Sequence, residues 1–268
     1  MRRSITLALL LLASLPLAAA ELLLELPEGS RRWSSSELLA HPQTRSLSIP
    51  DDPTYRREMH YRALPLAALL EGVRPGDHLQ ALALDGFAAE LPAAPLLHED
   101  GARAWLAIED PAAPWPALGR NKASAGPFYL VWSDPQAGDI GPEQWPFQIA
   151  RLRLLASVAE RLPALRPATD ANVSIQAGFA LFQKHCLACH RLNGQGDARF
   201  GPDLNLPYNP TEYFHEAFLR RYIRDPQALR QWSQGRMPGF GVEVLGEREL
   251  DHLLAYLRHM AGRKAELP

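Results

Sequence analysis

The pattern of apolar positions changes character near residue 165. Between Glu21 and about Leu165, apolar residues form short runs or alternate with polar ones, and Gly, Pro or Asp bounds each run, which is typical of β-strands. Two short helices are predicted among them, one at the capping sequence Ser34-Ser35-Ser36-Glu37 and one at Pro65–Leu70. The predicted strands are Leu22–Leu26, His78–Ala83, Arg103–Glu109, Phe128–Trp132 and Gln148–Leu155.

After a short proline-containing stretch, the apolar residues recur at helical spacing. Helices are predicted at Ser174–Gln183, Thr211–Arg224 and Glu247–Met260. Pro163 and Pro167 mark the change of pattern. We therefore predict two domains: a β-rich α+β domain at 21–165, a linker at 166–173, and an all-α domain at 174–268.

The first twenty residues predict an export signal. Arg2 and Arg3 precede an apolar run, and Ala18-Ala19-Ala20 supplies the small side chains of a cleavage site. An uncleaved membrane anchor is the alternative, but the run is shorter than the ~20 residues that a spanning helix needs and contains Pro16. We expect a signal peptide at 1–20, and a mature periplasmic chain with no membrane span.

Composition and charge remove several classes of function. The 268 residues are 47% hydrophobic and 22% charged, as in globular proteins, and the formal net charge of −2 gives no basic field for binding nucleic acid. The charge divides unevenly, since residues 21–173 carry 14 basic and 20 acidic side chains and residues 174–268 carry 12 and 10. We expect the two halves to face partners of opposite charge.

The two cysteines lie three positions apart and a histidine follows at once, in Cys186-Leu187-Ala188-Cys189-His190. This pattern is typical of c-type haem attachment, in which each sulfur binds one porphyrin vinyl group and the imidazole becomes the proximal iron ligand. A zinc site, a thioredoxin-like pair and a plain disulfide are the alternatives. The first lacks a second ligand pair, the second lacks a βαβ context, and the third leaves His190 without a role.

A second axial ligand is expected downstream, and Met237 is the candidate. Its thioether is a soft ligand, and the surrounding Gly235-Arg236-Met237-Pro238-Gly239-Phe240 is typical of a defined loop. Met260 is the rival sulfur, at a helix end, and a loop methionine also serves as an apolar plug. Tyr222 and Trp232 are either core residues or hydrogen-bond donors to a haem propionate.

Residues 174–262 resemble a class I cytochrome c. The likeness rests on the cysteine motif, the Gly201-Pro202-Asp203-Leu204 loop, the Met237-Pro238 loop, and Gly178 and Tyr256 in the first and last helices. The resemblance implies that Gly178 lets these two helices cross closely against Tyr256. It also implies that the Pro202 segment packs beside His190 and that a neighbouring carbonyl accepts a hydrogen bond from the imidazole.

Four segments of the N-terminal half resemble, in order, the sulfite-oxidase-type molybdopterin-binding fold: Tyr61–Leu70, Leu84–Phe87, Ala104–Glu109 and Gly126–Trp132. They indicate a fold and not a site. In that family a cysteine thiolate ligates molybdenum, whereas both cysteines here belong to the haem motif. We therefore expect a domain that keeps the fold without the cofactor. Solvated or core positions are expected for its scattered histidines, His41, His60, His78 and His98.

These features favour an electron carrier with one covalent haem c and no catalytic residue of its own. The N-terminal domain would dock it to a redox partner, either an oxidoreductase or a membrane electron-transport complex. The alternative is the haem subunit of a sulfite-dehydrogenase-like molybdenum oxidoreductase. A haem-based sensor is the third hypothesis, and it requires a labile sixth ligand.

Overall fold

The computed structural model describes residues 19–138, 140–229, 231, 235 and 237–266. The predicted signal peptide at 1–20 lies almost wholly outside these residues, and so does Trp232, so both stay predictions. Among the helices that are described, none combines the length and the apolar character needed to cross a membrane.

Strands dominate the N-terminal half and form two sheets. The five-stranded sheet has the order β2-β1-β9-β5-β6, with β1 and β9 parallel, and the four-stranded sheet β3-β4-β7-β8 is antiparallel throughout. This half is β-rich, as predicted. The strands are β1 Glu21–Leu26, β2 Gly29–Ser34, β3 Arg45–Asp52, β4 Arg57–Pro65, β5 His78–Ala83, β6 Ala88–Pro92, β7 Arg103–Ile108, β8 Phe128–Ser133 and β9 Ile149–Leu155.

All five predicted strands are present, with ends that differ by one residue at most. The prediction missed β2, β3, β4 and β6. Most side chains of β2 and β3 are exposed, and both strands lie at sheet edges, so backbone pairing and not an apolar run stabilises them. In β4 the buried Met59, Tyr61 and Ala63 alternate with exposed residues. Several residues of the strand are charged, so the segment has no continuous apolar run that would predict a strand.

The capping prediction at Ser34 is confirmed. Helix α1 spans Ser35–Leu39, the Glu37 backbone N–H donates to Ser34 Oγ at 3.2 Å, and the Ser34 N–H donates to Glu37 Oε2 at 2.7 Å. The helix predicted at Pro65–Leu70 is a 3-10 turn at Leu66–Leu69. A second short helix, α2, spans Ala93–Leu96.

The C-terminal half is helical. The predicted helix at Thr211–Arg224 is in fact two helices, because Phe214 adopts an extended conformation and His215 starts a new one. The remaining helices are α3 Val158–Arg161, α4 Val173–His185, α5 Pro210–Tyr213, α6 Glu216–Arg224, α7 Pro226–Leu229 and α8 Glu247–Ala261.

Helices α4 and α8 cross at Gly178, which confirms the close approach that was expected. A Cβ atom at Gly178 would lie 2.0 Å from the carbonyl oxygen of His252 and 2.6 Å from Cβ of Tyr256. The Tyr256 ring is fully buried against Phe179 and Phe182, and its hydroxyl donates to the carbonyl oxygen of Leu165 at 2.7 Å. Only glycine fits this crossing.

The buried apolar residues form two separate cores. One core fills the space between the sheets and ends at Leu152, and the other lies among the helices and begins at Val158. Val158 and Leu165 already belong to the helical core, so the change from one core to the other comes before residues 166–173, the predicted linker. The reason is that the turn at Pro163–Leu165 lies under α8, where the Tyr256 hydroxyl binds the Leu165 carbonyl.

A partly buried polar network joins the two halves. Arg161 donates to Glu90 Oε1 at 2.7 Å and to Asp197 Oδ2 at 3.2 Å. Gln80 donates to the same two carboxylates at 2.7 and 2.8 Å, and its own oxygen accepts from Arg153 at 2.7 Å. Since Asp197 follows His190 by a few residues, this network places the five-stranded sheet beside the cysteine motif.

Candidate functional site

Helix α4 positions the cysteine motif, which follows its last residue. Cys186 N–H still donates to the Phe182 carbonyl at 2.9 Å, and His190 N–H donates to the Cys186 carbonyl at 2.8 Å. The chain therefore makes one more helical turn through the motif. Cys186 and Cys189 are half-buried free thiols, so they do not form a disulfide with each other.

The His190 ring is oriented by the following loop. Its Nδ1 lies 2.8 Å from the Pro202 carbonyl oxygen, which confirms the expected contact, and since a carbonyl only accepts, Nδ1 carries the proton. Nε2 is then the unprotonated nitrogen with a free lone pair. Gly201 lies against the ring, where a Cβ atom would come within 2.4 Å of Cε1. Burial lowers the pKa of His190 more than the Pro202 contact raises it, so the ring is neutral at neutral pH.

The two thiols are protonated at neutral pH. Burial raises the pKa of Cys189 to about 11, and the carboxylates of Glu143 and Asp85 contribute to this rise. Burial and the Glu143 charge also raise the pKa of Cys186. Thiol–disulfide exchange uses the thiolate, so this environment disfavours a thioredoxin-like pair. Among the described residues, no three His, Cys, Asp or Glu side chains are grouped to hold a metal ion.

Buried asparagines fix the loop that follows the motif to the end of α8. Asn205 donates to the Met260 carbonyl at 2.7 Å and to Asn193 Oδ1 at 2.7 Å, while Asn209 donates to the Leu257 carbonyl at 2.9 Å. All three asparagines are buried. The Met260 carbonyl also accepts from the Arg263 N–H at 2.8 Å, so the asparagine amides add second bonds that tie the loop to the last turn of α8.

A carboxylate closes the same loop on itself. Asp203 accepts backbone N–H groups from Asn193, Gly194, Asn205 and Leu206 at 2.6–3.1 Å. These bonds hold the residues on both sides of Pro202, whose carbonyl orients His190. The loop therefore has a single defined shape without regular secondary structure.

Met237 lies on a loop that the end of α6 anchors. Arg224 donates to the carbonyls of Phe240 at 2.9 Å and Gly241 at 3.2 Å, and the Phe240 N–H donates to the Ile223 carbonyl at 3.1 Å. Met237 is partly buried and packs against the helical core, as Cys186 does. Met260, by contrast, is 1% exposed in the middle of that core.

An aromatic group lines α5 and α6. The rings of Phe214, Phe218 and Tyr222 lie 5.1–6.2 Å apart, and Phe218 is 38% exposed. Tyr222 thus contacts other aromatic rings, while Trp232, its partner in the prediction, lies outside the described residues.

The N-terminal half covers one side of the motif. Phe87, in the β5–β6 turn, contacts Phe200 with ring centroids 6.4 Å apart. Glu143 Oε2 lies 3.1 Å from Nδ1 of His185, the residue before Cys186. Sequence reasoning missed Glu143, His185 and Asp197, and no local pattern marks them, because their partners come from the other half.

The histidines of the N-terminal half have no common site. His60 is exposed, and His41 and His98 are at or near the surface. His78 lies 2.6 Å from the Glu90 carboxylate, so its role is in the network between the halves.

The donor set fits a covalently bound haem. Two protonated thiols stand on one helical turn, and one neutral imidazole has its Nε2 lone pair available while Nδ1–H is held by a carbonyl. Partly exposed aromatic side chains and Met237 belong to the same half. These are the ligand types that c-type haem sites use.

Comparison with known proteins agrees with this geometry. Residues 175–261 match the cytochrome c family, and this part of the chain is a cytochrome c domain, which implies covalent haem c and electron transfer. A stretch of 95 residues is 33% identical to a subunit of nicotinate dehydrogenase from Pseudomonas putida. The match covers 35% of this chain and 8% of that protein's length.

Proposed function

We propose that the chain is a periplasmic mono-haem c-type cytochrome that passes single electrons to and from a redox partner. The observation that carries this is the cysteine motif of a cytochrome c domain, in which the Pro202 carbonyl holds His190 with Nε2 unprotonated. The bound haem supplies an iron that alternates between two oxidation states. The chain supplies attachment, ligands and burial.

The roles of the site residues follow from their surroundings. Cys186 and Cys189 would hold the haem covalently, and His190 would bind its iron. Met237 would be the second iron ligand, since it lies on an anchored loop at the edge of the helical core. Met260 is the weaker candidate, because its side chain is buried in the helical core.

The protein groups around these ligands keep them in place through both oxidation states. The Pro202 carbonyl accepts from His190 Nδ1–H, which prevents rotation of the ring and makes the nitrogen at the iron more basic. Arg224 holds the carbonyls after Met237 and thereby keeps the thioether within its loop. Fixed ligands lower the reorganisation that accompanies electron transfer.

The N-terminal half, in this proposal, keeps a sulfite-oxidase-like fold without molybdenum and serves for docking. Two packed sheets support a domain of this kind, and the half contains no cysteine to ligate the metal. Its excess of acidic side chains favours a partner with a basic surface, through the rate of encounter more than through affinity.

A second candidate function is the haem subunit of a dehydrogenase, and the similarity to the nicotinate dehydrogenase of Pseudomonas putida favours it. In that case the chain would accept electrons from another protein of the assembly that binds the substrate, or from a molybdenum cofactor in a sulfite-dehydrogenase-like assembly. The electron-transfer chemistry of the cytochrome c domain is the same in both cases.

Elemental and optical analysis of the purified protein tests the proposal and separates it from the second candidate. We expect one iron per chain, no molybdenum, and the pyridine haemochrome spectrum of haem c. Stoichiometric molybdenum would make the chain part of an enzyme. A fractionation of the host cell, with the mass of the mature N-terminus, tests export and cleavage near Glu21.

Substitutions test the individual roles. Replacing Cys186 and Cys189 by alanine should leave any haem extractable by acidic organic solvent. Met237→Ala should abolish the weak red absorption of Met-ligated ferric haem, with Met260→Ala as the matched control that keeps it. Survival of this absorption in Met237→Ala and its loss in Met260→Ala would reverse the assignment.

A further inference from the structure

A carboxylate of the N-terminal half lies beside the cysteine motif. Glu143 belongs to the 3-10 turn Pro142–Gln144, and Trp132 in β8 anchors this turn by donating its ring N–H to the Gln144 carbonyl at 2.8 Å. The Glu143 side chain is 11% exposed, and that of its partner His185 is 1% exposed. The carboxylate is therefore held by the sheet and largely shielded from water.

The His185 ring is packed between the halves. On one side, a Cβ atom at Gly141 would lie 3.3 Å from its Cε1, and on the other, Phe240 of the Met237 loop meets it edge to face at 5.6 Å. Since the Glu143 carboxylate only accepts, His185 Nδ1 carries the proton of their 3.1 Å contact.

The Glu143 carboxylate contacts His185 through a single ring nitrogen, Nδ1. His185 Nε2 is buried and has no hydrogen-bond partner among the described residues. Glu143 is therefore the acceptor that holds the His185 ring among the described residues, and the carboxylate stays at this position beside Cys186.

The carboxylate lies beside the first haem-attachment position, since His185, its contact at 3.1 Å, directly precedes Cys186. Asp85, in the β5–β6 turn, also lies on the side of the motif that the N-terminal half covers, but it is exposed. Lys184 also lies near the turn at Gly141, and it is common to all variants compared below. Inside a protein, a shielded charge acts more strongly than an exposed one at the same distance.

We propose that Glu143 is a potential-tuning residue, through which the N-terminal half lowers the reduction potential of the haem. Reduction adds one electron to the ferric iron, with no bond made or broken. The charge of the haem group falls by one, and a fixed carboxylate beside its attachment points stabilises the more positive ferric state. The inference rests on the proposed attachment of haem at Cys186 and Cys189.

Redox titration of the full-length holoprotein tests this inference. Glu143→Gln and Glu143→Ala should both shift the midpoint potential to more positive values, and Asp85→Asn should shift it the same way by less. Glu143→Asp keeps the charge and should stay near the unchanged protein. Glu58→Gln removes an exposed carboxylate of β4 that contacts Ser48, and is the matched control.

The outcomes separate this inference from the proposed function. Covalent haem is scored for each variant by its resistance to acidic organic solvent. If haem is attached and the two neutral Glu143 variants keep or lower the potential, the tuning role is wrong. If the unchanged protein carries no covalent haem, the attachment itself fails. A positive shift in Glu143→Asp equal to that in Glu143→Gln would assign the effect to geometry instead of charge.

Discussion

The β-rich half and the helical half satisfy their backbone polar groups by different means. In the β-rich half, strands pair with each other across long stretches of chain, so that Leu23 lies opposite Arg151. In the helical half, the loop after His190 has little regular structure, and side chains supply its hydrogen bonds: Asp203 accepts its backbone N–H groups, and buried asparagines bind it to α8.

This difference explains where the chemistry lies. Paired strands use their backbone groups among themselves and pack apolar side chains between the sheets. In the helical half, the turn that continues α4 carries the thiols and the imidazole, and the irregular loop after it brings a carbonyl to the imidazole. The β-rich half then acts on the site from outside, through the charges and contacts along the surface that the two halves share.

The largest expected effect is a loss of stability in the helical core that leaves the core between the sheets unchanged. Gly178→Val should destabilise the helical half by about 3 kcal/mol, because the new side chain meets the His252 carbonyl and α4 and α8 cannot close. Unfolding in denaturant measures it, followed by haem absorbance for this half and, in a Trp232→Phe background where every tryptophan belongs to the β-rich half, by tryptophan fluorescence for that half. Ala180→Val, at an exposed position of α4, is the control. Equal shifts of both signals would mean that the halves share one core.

The next effect concerns the network between the halves. Arg161→Met removes two bonds and should cost about 2 kcal/mol, because the buried Glu90 carboxylate keeps its contacts with Gln80 and His78 but loses the guanidinium. The unfolding transitions of the two halves should also separate in calorimetry. Arg151→Met is the control, since its 3.5 Å contact with Glu25 is more than one-third exposed on both sides and is worth less than about 1 kcal/mol. If Arg161→Met and Arg151→Met lose similar amounts of stability, the network does not stabilise the protein more than an exposed ion pair does.

Acid should weaken the same network by less than Arg161→Met does. Burial raises the pKa of Glu90, but the hydrogen bond from His78 and the charge of Arg161 outweigh it, so the pKa is held below its ordinary value. The stability that Glu90 contributes is therefore present above the pKa of the unfolded chain and is lost as the pH falls through the folded-state pKa.

The pH dependence of unfolding checks this, with Glu90→Gln as the comparison. The difference in stability between the unchanged protein and the variant should shrink as the solution is acidified below about pH 4.5. A constant difference from neutral to acid pH would show that the charge of Glu90 does not contribute.

The smallest effect is confined to the β-rich half. Ser34→Ala should destabilise it by about 1 kcal/mol, because the first turn of α1 loses its cap, and should leave the haem absorbance transition in place. Tryptophan fluorescence in denaturant measures the change, and Ser30→Ala, an exposed serine of β2, is the control. An unaltered midpoint would mean that the Glu37 side chain caps the helix alone.

Features that depend on neighbours in the chain could be predicted from sequence. The spacing of Cys186, Cys189 and His190, the capping box at Ser34, and the helices α4 and α8 all rest on contacts within a turn or two. The Pro202 carbonyl at His190 and the glycine at the α4–α8 crossing were also expected, by resemblance, and both are present.

The rest depends on which segments meet in space. The edge strands β2 and β3 exist because partners pair with them, and their own side chains carry no apolar signal. Glu143 beside His185, and Arg161 between Glu90 and Asp197, join residues from separate elements. Hydrogen bonds between residues three or four positions apart can be predicted from a local sequence pattern. The contact of a buried charge with a partner distant in sequence depends on how the sheets and helices pack.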